Sequence, residues 1–145
     1  MLVLAALLSN TAHAGTSIGA EYLFSIPLSD NDSANLGEGI GGRFGFSFDL
    51  LAVTFTPEIG VTYWNGGNQF IPEAGLRLQF AKVVEPGLFA HINRPLVEGG
   101  EAGWDAGFTL DFTAIPKLDI GGQAGVININ GRFTAQTGIQ LHLNL

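Results

Sequence analysis

The sequence predicts an all-β fold: an eight-stranded antiparallel up-and-down transmembrane β-barrel. Three observations carry that expectation. Apolar and polar side chains alternate with a two-residue period in eight segments, and Gly, Asn, Asp and Pro separate the segments. Charged residues make up only 13% of the chain, with two lysines, Lys82 and Lys117. Strand side chains alternate between faces, so each segment has one oily and one polar face. A soluble barrel needs a charged exterior, roughly a quarter of its residues.

The first segment places Ile18, Ala20, Tyr22, Phe24 and Ile26 on the apolar phase, with Ser17, Gly19, Glu21 and Ser25 on the other. The second runs Phe44, Phe46, Phe48, and the third Val53, Phe55, Ile59, Val61, Tyr63. The fourth is Leu76, Leu78, Phe80, and the fifth Leu88, Ala90, Ile92. Trp104 to Phe112 forms the sixth, Leu118 to Val126 the seventh and Phe133 to Leu145 the eighth. The polar phase is rich in glycine, which suits the crowded lumen of a barrel this small. The apolar phase carries the Phe, Leu and Ile, which would overfill it. The expectation is therefore oil outside, as in a barrel that crosses an outer membrane. A soluble lipocalin-like carrier is the alternative.

The connections alternate in length. Ser29 to Asn35 is long and polar, and Asp49 to Ala52 is tight. Asn65 to Asn68, a turn at Val83-Val84-Glu85-Pro86, Arg94 to Glu101, Ala114 to Lys117 and Asn128 to Gly131 complete the set. These residues supply the turn chemistry. Phe55-Thr56-Pro57-Glu58-Ile59-Gly60-Val61 echoes Phe70-Ile71-Pro72-Glu73-Ala74-Gly75-Leu76. Proline cannot donate to a ladder, so Pro57 and Pro72 are expected at bulges or strand starts. Tyr22, Tyr63, Trp64 and Trp104 fall toward one set of strand ends, where an interfacial aromatic girdle is expected.

Residues 1–14 read as a signal peptide, with 15–145 as the barrel. Met1 to Leu8 is a short apolar run, and Ala12-His13-Ala14 forms an A-x-A cleavage site before Gly15. The basic n-region is missing, which points to a start upstream of Met1. There is no cysteine, hence no disulfide framework and no thiolate metal site. The net charge of −7 argues against nucleic acid, which requires a basic surface.

Within the polar phase, Glu21, Arg43, Glu58, Arg77, His91 and Asp105 nearly alternate in sign from strand to strand. Counting across the turns pairs Arg43 with Glu58, Glu58 with Arg77, Arg77 with His91, His91 with Asp105, and Glu21 loosely with Arg43. Buried charges are costly unless paired, so such a belt satisfies itself. It reads either as a structural lumen network or as a gate or selective plug. No catalytic triad is expected: His91 lacks a nearby serine nucleophile, His142 lies near a strand end, and Ser17, Ser25 and Ser47 have no evident base. No cofactor or resident metal is expected. Asp30, Asp32 and Glu38 could at most hold calcium or lipopolysaccharide-bridging ions weakly, and Arg94 is read as solvated.

The signal-like start, the eight alternating segments, the Pro-Glu-x-Gly repeats and the final Gly138-Ile139-Gln140-Leu141-His142-Leu143-Asn144-Leu145 together resemble the small bacterial outer-membrane β-barrels, with a size similar to the OmpA and OmpX types. The resemblance is architectural and covers most of the chain after residue 14. The usual terminal residue of such barrels is aromatic, and here it is Leu145. The resemblance implies a Gram-negative outer membrane, with its lipid and lipopolysaccharide and the barrel-insertion machinery as partners. It also implies a monomer without enzymatic activity, in a structural or surface-interaction role. A narrow porin-like pore or a small-ligand-binding barrel is the alternative.

Overall fold

The computed structural model describes residues 14–28, 35–50, 52–80 and 83–145. The expected signal peptide, apart from Ala14, lies outside them, as do Asp30 and Asp32. The strands are β1 (Ala14–Pro27), β2 (Glu38–Leu50), β3 (Val53–Trp64), β4 (Gln69–Phe80), β5 (Val84–Asn93), β6 (Gly103–Ile115), β7 (Leu118–Ile129) and β8 (Arg132–Asn144). Each pairs antiparallel with its sequence neighbour, and β1 pairs with β8 to close the barrel. Closure leaves no open sheet edge, so the ladder is satisfied within the ring.

The faces follow the alternation. Ile40, Ile59, Ile92, Phe108 and Ile139 stand on the outside at 61–71% exposure. Glu21, Arg43, Glu58, Arg77, His91 and Asp105 point inward and are buried. The burial pattern is thus inverted relative to a water-soluble domain, in which large apolar groups withdraw and charges stay outside.

One end of the barrel carries the connections β1–β2, β3–β4, β5–β6 and β7–β8, and is called here the loop end. The other, the turn end, carries β2–β3, β4–β5 and β6–β7, together with Ala14 and Leu145. At the loop end, Asn130 and Gly131 both take positive φ, 50° and 75°, which is the two-residue I′-type geometry that matches strand twist. At the turn end the β6–β7 register slips between Thr113 and Ile115, a bulge next to the Pro116-Lys117 turn.

Several strands exceed their expected limits. β5 begins at Val84, so Val84, Glu85 and Pro86 belong to the strand and not to the turn. β4 begins at Gln69, seven residues before Leu76. The two prolines sit inside strands, and neither marks a bulge or a strand start. Pro57 interrupts the β2–β3 ladder, but the register is the same on both sides, with Gly45 opposite Glu58 and Phe48 opposite Phe55. Pro72 turns its nitrogen toward β5 just past Asn93, where that strand has ended. Its carbonyl accepts from Arg94 N at 3.2 Å, and no ladder donor is needed from its ring nitrogen.

Trp64 corrects the expected girdle. Tyr63 faces outward and donates to Asn68 Oδ1 at 2.8 Å, so Trp64, one residue on, must face inward, where it is 1% exposed. Leu23, Leu36, Trp64, Ile71, Ile127 and Ile129 form an apolar plug inside the loop end. Leu36 comes from the first loop. Its N–H donates to Ser25 Oγ at 3.1 Å, and its carbonyl accepts from Gly66 N at 2.8 Å. Aromatic pairs Tyr22–Phe24, Tyr63–Phe70 and Trp104–Phe133 remain on the outside of the same end.

Candidate functional site: the interior charge network

Inward positions on β1 to β6 supply the network, because they occupy the one phase of each strand that faces the lumen. Glycine makes room for it. A Cβ at Gly75 would lie 2.6 Å from both Cα and Cδ2 of His91, its register partner, so the imidazole lies against bare backbone there.

Arg43 is the hub. Its Nε and Nη2 donate to the two oxygens of Glu21 at 3.0 and 3.1 Å, a bidentate pair. Nη2 also meets Glu73 Oε1 at 3.0 Å, and Nη1 lies 3.5 Å from Glu58 Oε1. Nη1 is 3.3 and 3.2 Å from the two ring nitrogens of His91, nearly equidistant, so the guanidinium lies over the ring and not in its plane. Arg77 approaches Glu58 Oε1 through Nη2 at 3.3 Å and donates through Nη1 to Gln140 Oε1 at 2.9 Å. His91 sits between two acids: Nε2 is 2.9 Å from Glu58 Oε1, and Nδ1 is 2.9 Å from Asp105 Oδ2. Phe89 stacks on His91 from the turn-end side, with centroids 5.4 Å apart.

Of the expected cross-strand pairs, only His91 and Asp105 are direct register partners. Arg43 lies opposite Gly60, Glu58 opposite Gly75, and Arg77 opposite Thr56 and Phe89. Each of these registers differs from the expected one by two residues, which preserves the face, and the long side chains then meet diagonally. Arg77 turns to Glu58 and Gln140, away from His91.

The sequence reading leaves out Glu73, because its fourth segment begins at Leu76, whereas β4 begins at Gln69. That reading also leaves out the neutral members. Thr62 Oγ1 and Gln123 Nε2 donate to Glu21 at 2.9 and 2.8 Å. Gln140 Nε2 donates to Asp111 Oδ1 at 2.6 Å, and Gln79 Nε2 to Asp111 Oδ2 at 3.1 Å. Their inward phase was visible in the alternation, but an amide carries no sign to match. Two of the three serines are engaged elsewhere: Ser25 Oγ accepts from Leu36 N, and Ser47 shares a 3.0 Å hydrogen bond with Thr56. His142 is buried beside Gly19 near the turn end. Arg94 is tied to its own loop, donating from Nε to Gly100 O at 3.1 Å.

Beyond Asp111 the lumen widens at the turn end into a cavity of about 420 Å³ whose lining includes Asp49, Thr54, Glu85, Lys117 and Asp119. The interior is therefore layered from loop end to turn end: apolar plug, charged belt, amide layer, acidic cup.

No protein-family model and no curated protein matches the chain. Solved structures do. Neisserial surface protein A aligns over 94% of this chain and 100% of its own, with a TM-score of 0.61 and 14% identity. The Yersinia pestis outer membrane protein Ail, determined in a phospholipid bilayer nanodisc, aligns over 92% and 100%, with a TM-score of 0.61 and 11% identity. A de novo designed transmembrane β-barrel aligns over 90% and 95%, with a TM-score of 0.60 and 12% identity. At such identities the likeness is one of architecture: this chain has the closed eight-stranded antiparallel fold of the small outer-membrane β-barrels.

Proposed function

We propose that the protein is an outer-membrane barrel with a sealed lumen, whose role is structural or one of surface interaction. The carrying observation is the inversion of burial: a continuous apolar exterior around buried arginines and carboxylates. Lipid is the solvent that makes such an exterior favourable. The plug and the belt lie in series across the lumen, which favours a closed body over a pore. In this reading the loop end faces the cell exterior, the turn end faces the periplasm, and residues 1–14 are removed on export. The external loops, together with membrane lipid and lipopolysaccharide, then form the surface available to partners. The chain acts as a monomer without catalytic chemistry.

Cell fractionation followed by detergent extraction tests the location. A cysteine placed at Glu98, in the β5–β6 loop, should react on intact cells with a membrane-impermeant maleimide, whereas one at Lys117 should not. Recovery of the protein in the soluble fraction, or the reverse labelling, would refute the reading. The turn-end cavity favours a second reading, a cup for a small ligand. Its test is saturable binding that Asp119→Asn abolishes.

A further inference from the structure

We propose that the belt holds one divalent transition-metal ion between Glu73, His91 and Asp105. One ligand atom from each of these three buried residues lies within 4.8 Å of the other two. They stand on the adjacent strands β4, β5 and β6, with His91 and Asp105 in direct register and Glu73 opposite Asn93. Around an ion with bonds of about 2.0–2.2 Å, ligand atoms stand roughly 3–3.5 Å apart, so side-chain rotation alone closes the site.

Two further observations point to a cation. Asn93 is 4% exposed, and its Oδ1 has no hydrogen-bond partner. Its amide nitrogen makes only a 3.5 Å contact, to Asp105 Oδ1. A half-turn of that amide exchanges the two atoms and sets the free oxygen beside the Asp105 carboxylate, a repulsive arrangement without a cation and a bonding one with it.

His91 has a carboxylate at each ring nitrogen. With an ion at Nδ1, the Nε2–H donates to Glu58. This is the carboxylate–histidine–metal relay that fixes the tautomer of a ligating imidazole.

One imidazole nitrogen with two carboxylates and an amide oxygen is a mixed nitrogen–oxygen set. It suits zinc or manganese better than calcium, which takes oxygen ligands alone. The plug lies on one side of the site and the Arg77–Gln140 layer on the other. The ion therefore enters as the chain folds. The inference holds whichever membrane the barrel occupies.

The test refolds the full chain from urea into detergent micelles with and without zinc(II), removes loose metal on a chelating resin, and measures zinc by atomic emission. The expected result is about one zinc per wild-type chain and less than about a tenth of that in Glu73→Gln and His91→Ala, with Glu101→Gln, in the exposed loop, unchanged. A wild-type chain that refolds without retaining zinc overturns the proposal, as does retention at full stoichiometry in both belt variants. If the variants do not fold, cobalt(II) reads the wild type directly. Intense visible absorption from a low-coordinate site supports the proposal, and only the weak spectrum of hydrated cobalt refutes it.

Discussion

Arg43 and Glu21 form the best-matched ion pair of the belt without facing each other in the ladder. The backbone sets Arg43 opposite Gly19 and Glu21 opposite Gly41, yet two guanidinium nitrogens reach both carboxylate oxygens at 3.0 and 3.1 Å. The diagonal works because both direct partners are glycines, which leave the space that the side chains cross.

That geometry ranks the belt energetically. Arg43→Met should destabilise the barrel by about 3–5 kcal/mol, because it leaves Glu21 and Glu73 buried without their cation. In double-mutant cycles, the Arg43–Glu21 coupling should exceed the Arg43–Glu58 coupling, whose contact is a single 3.5 Å approach. It should also exceed the roughly 1 kcal/mol of an exposed pair. Urea unfolding in liposomes gives all the required values. Additive effects for Arg43 and Glu21 would show that the pair is not coupled in lipid.

The two tryptophans offer a spectroscopic check on the faces. Trp104 is 44% exposed on the outside, while Trp64 is 1% exposed within the plug. In the Trp64→Phe variant, the remaining tryptophan should be quenched by brominated lipid. In Trp104→Phe, the remaining one should resist both brominated lipid and aqueous iodide. Iodide quenching of Trp64 would mean that the loop end admits water.

Depth in the bilayer should set the cost of a charge on the exterior. Phe46→Arg, near the middle of β2, should cost about 2–4 kcal/mol, and Phe70→Arg, beside the loop end, about 0–1 kcal/mol. Equal costs measured by unfolding from liposomes would contradict an apolar band centred on the strands.

Lys117 has a φ of 73°, a conformation that suits glycine and strains a side chain with a Cβ. Lys117→Gly should therefore raise stability by about 0.5–1 kcal/mol, reading in reverse the penalty for a Cβ at positive φ. A loss of stability would show that the lysine side chain contributes more at the turn end than its backbone strain costs.

The faces of the strands were legible because alternation needs no knowledge of partners: Ile18 or Phe108 belongs outside by parity alone. Register was less legible. Leu50 lies opposite Val53, so the β2–β3 register centres one residue later than the count across the turn places it, and each such displacement moves a partner by two positions. Two positions preserve the face, which explains why Glu58 and Arg77 lie inside although their partners were misjudged. Trp64 was misjudged for its chemistry, since a girdle residue was expected and parity was overlooked. Glu73 fell outside the segment that begins at Leu76, and a proline inside a strand, here Pro72, looks like a boundary until the neighbouring strand is seen to end beside it. Gln123 and Gln140 were hidden for a different reason: neutral amides take their meaning from partners that lie far away in sequence.

Those distant partners bear on assembly. Gln123 on β7 holds Glu21 on β1, 102 residues apart, and Gln140 on β8 holds Arg77 on β4, 63 residues apart. Neither bond can exist in a growing chain of hairpins, since the two ends of each meet only when the last strand arrives beside the first. An unclosed sheet would expose a carboxylate and a guanidinium to hydrocarbon along its concave side. In the membrane reading proposed above, lipid would disfavour such a partial sheet, so closing the ring and entering the bilayer would be coupled steps.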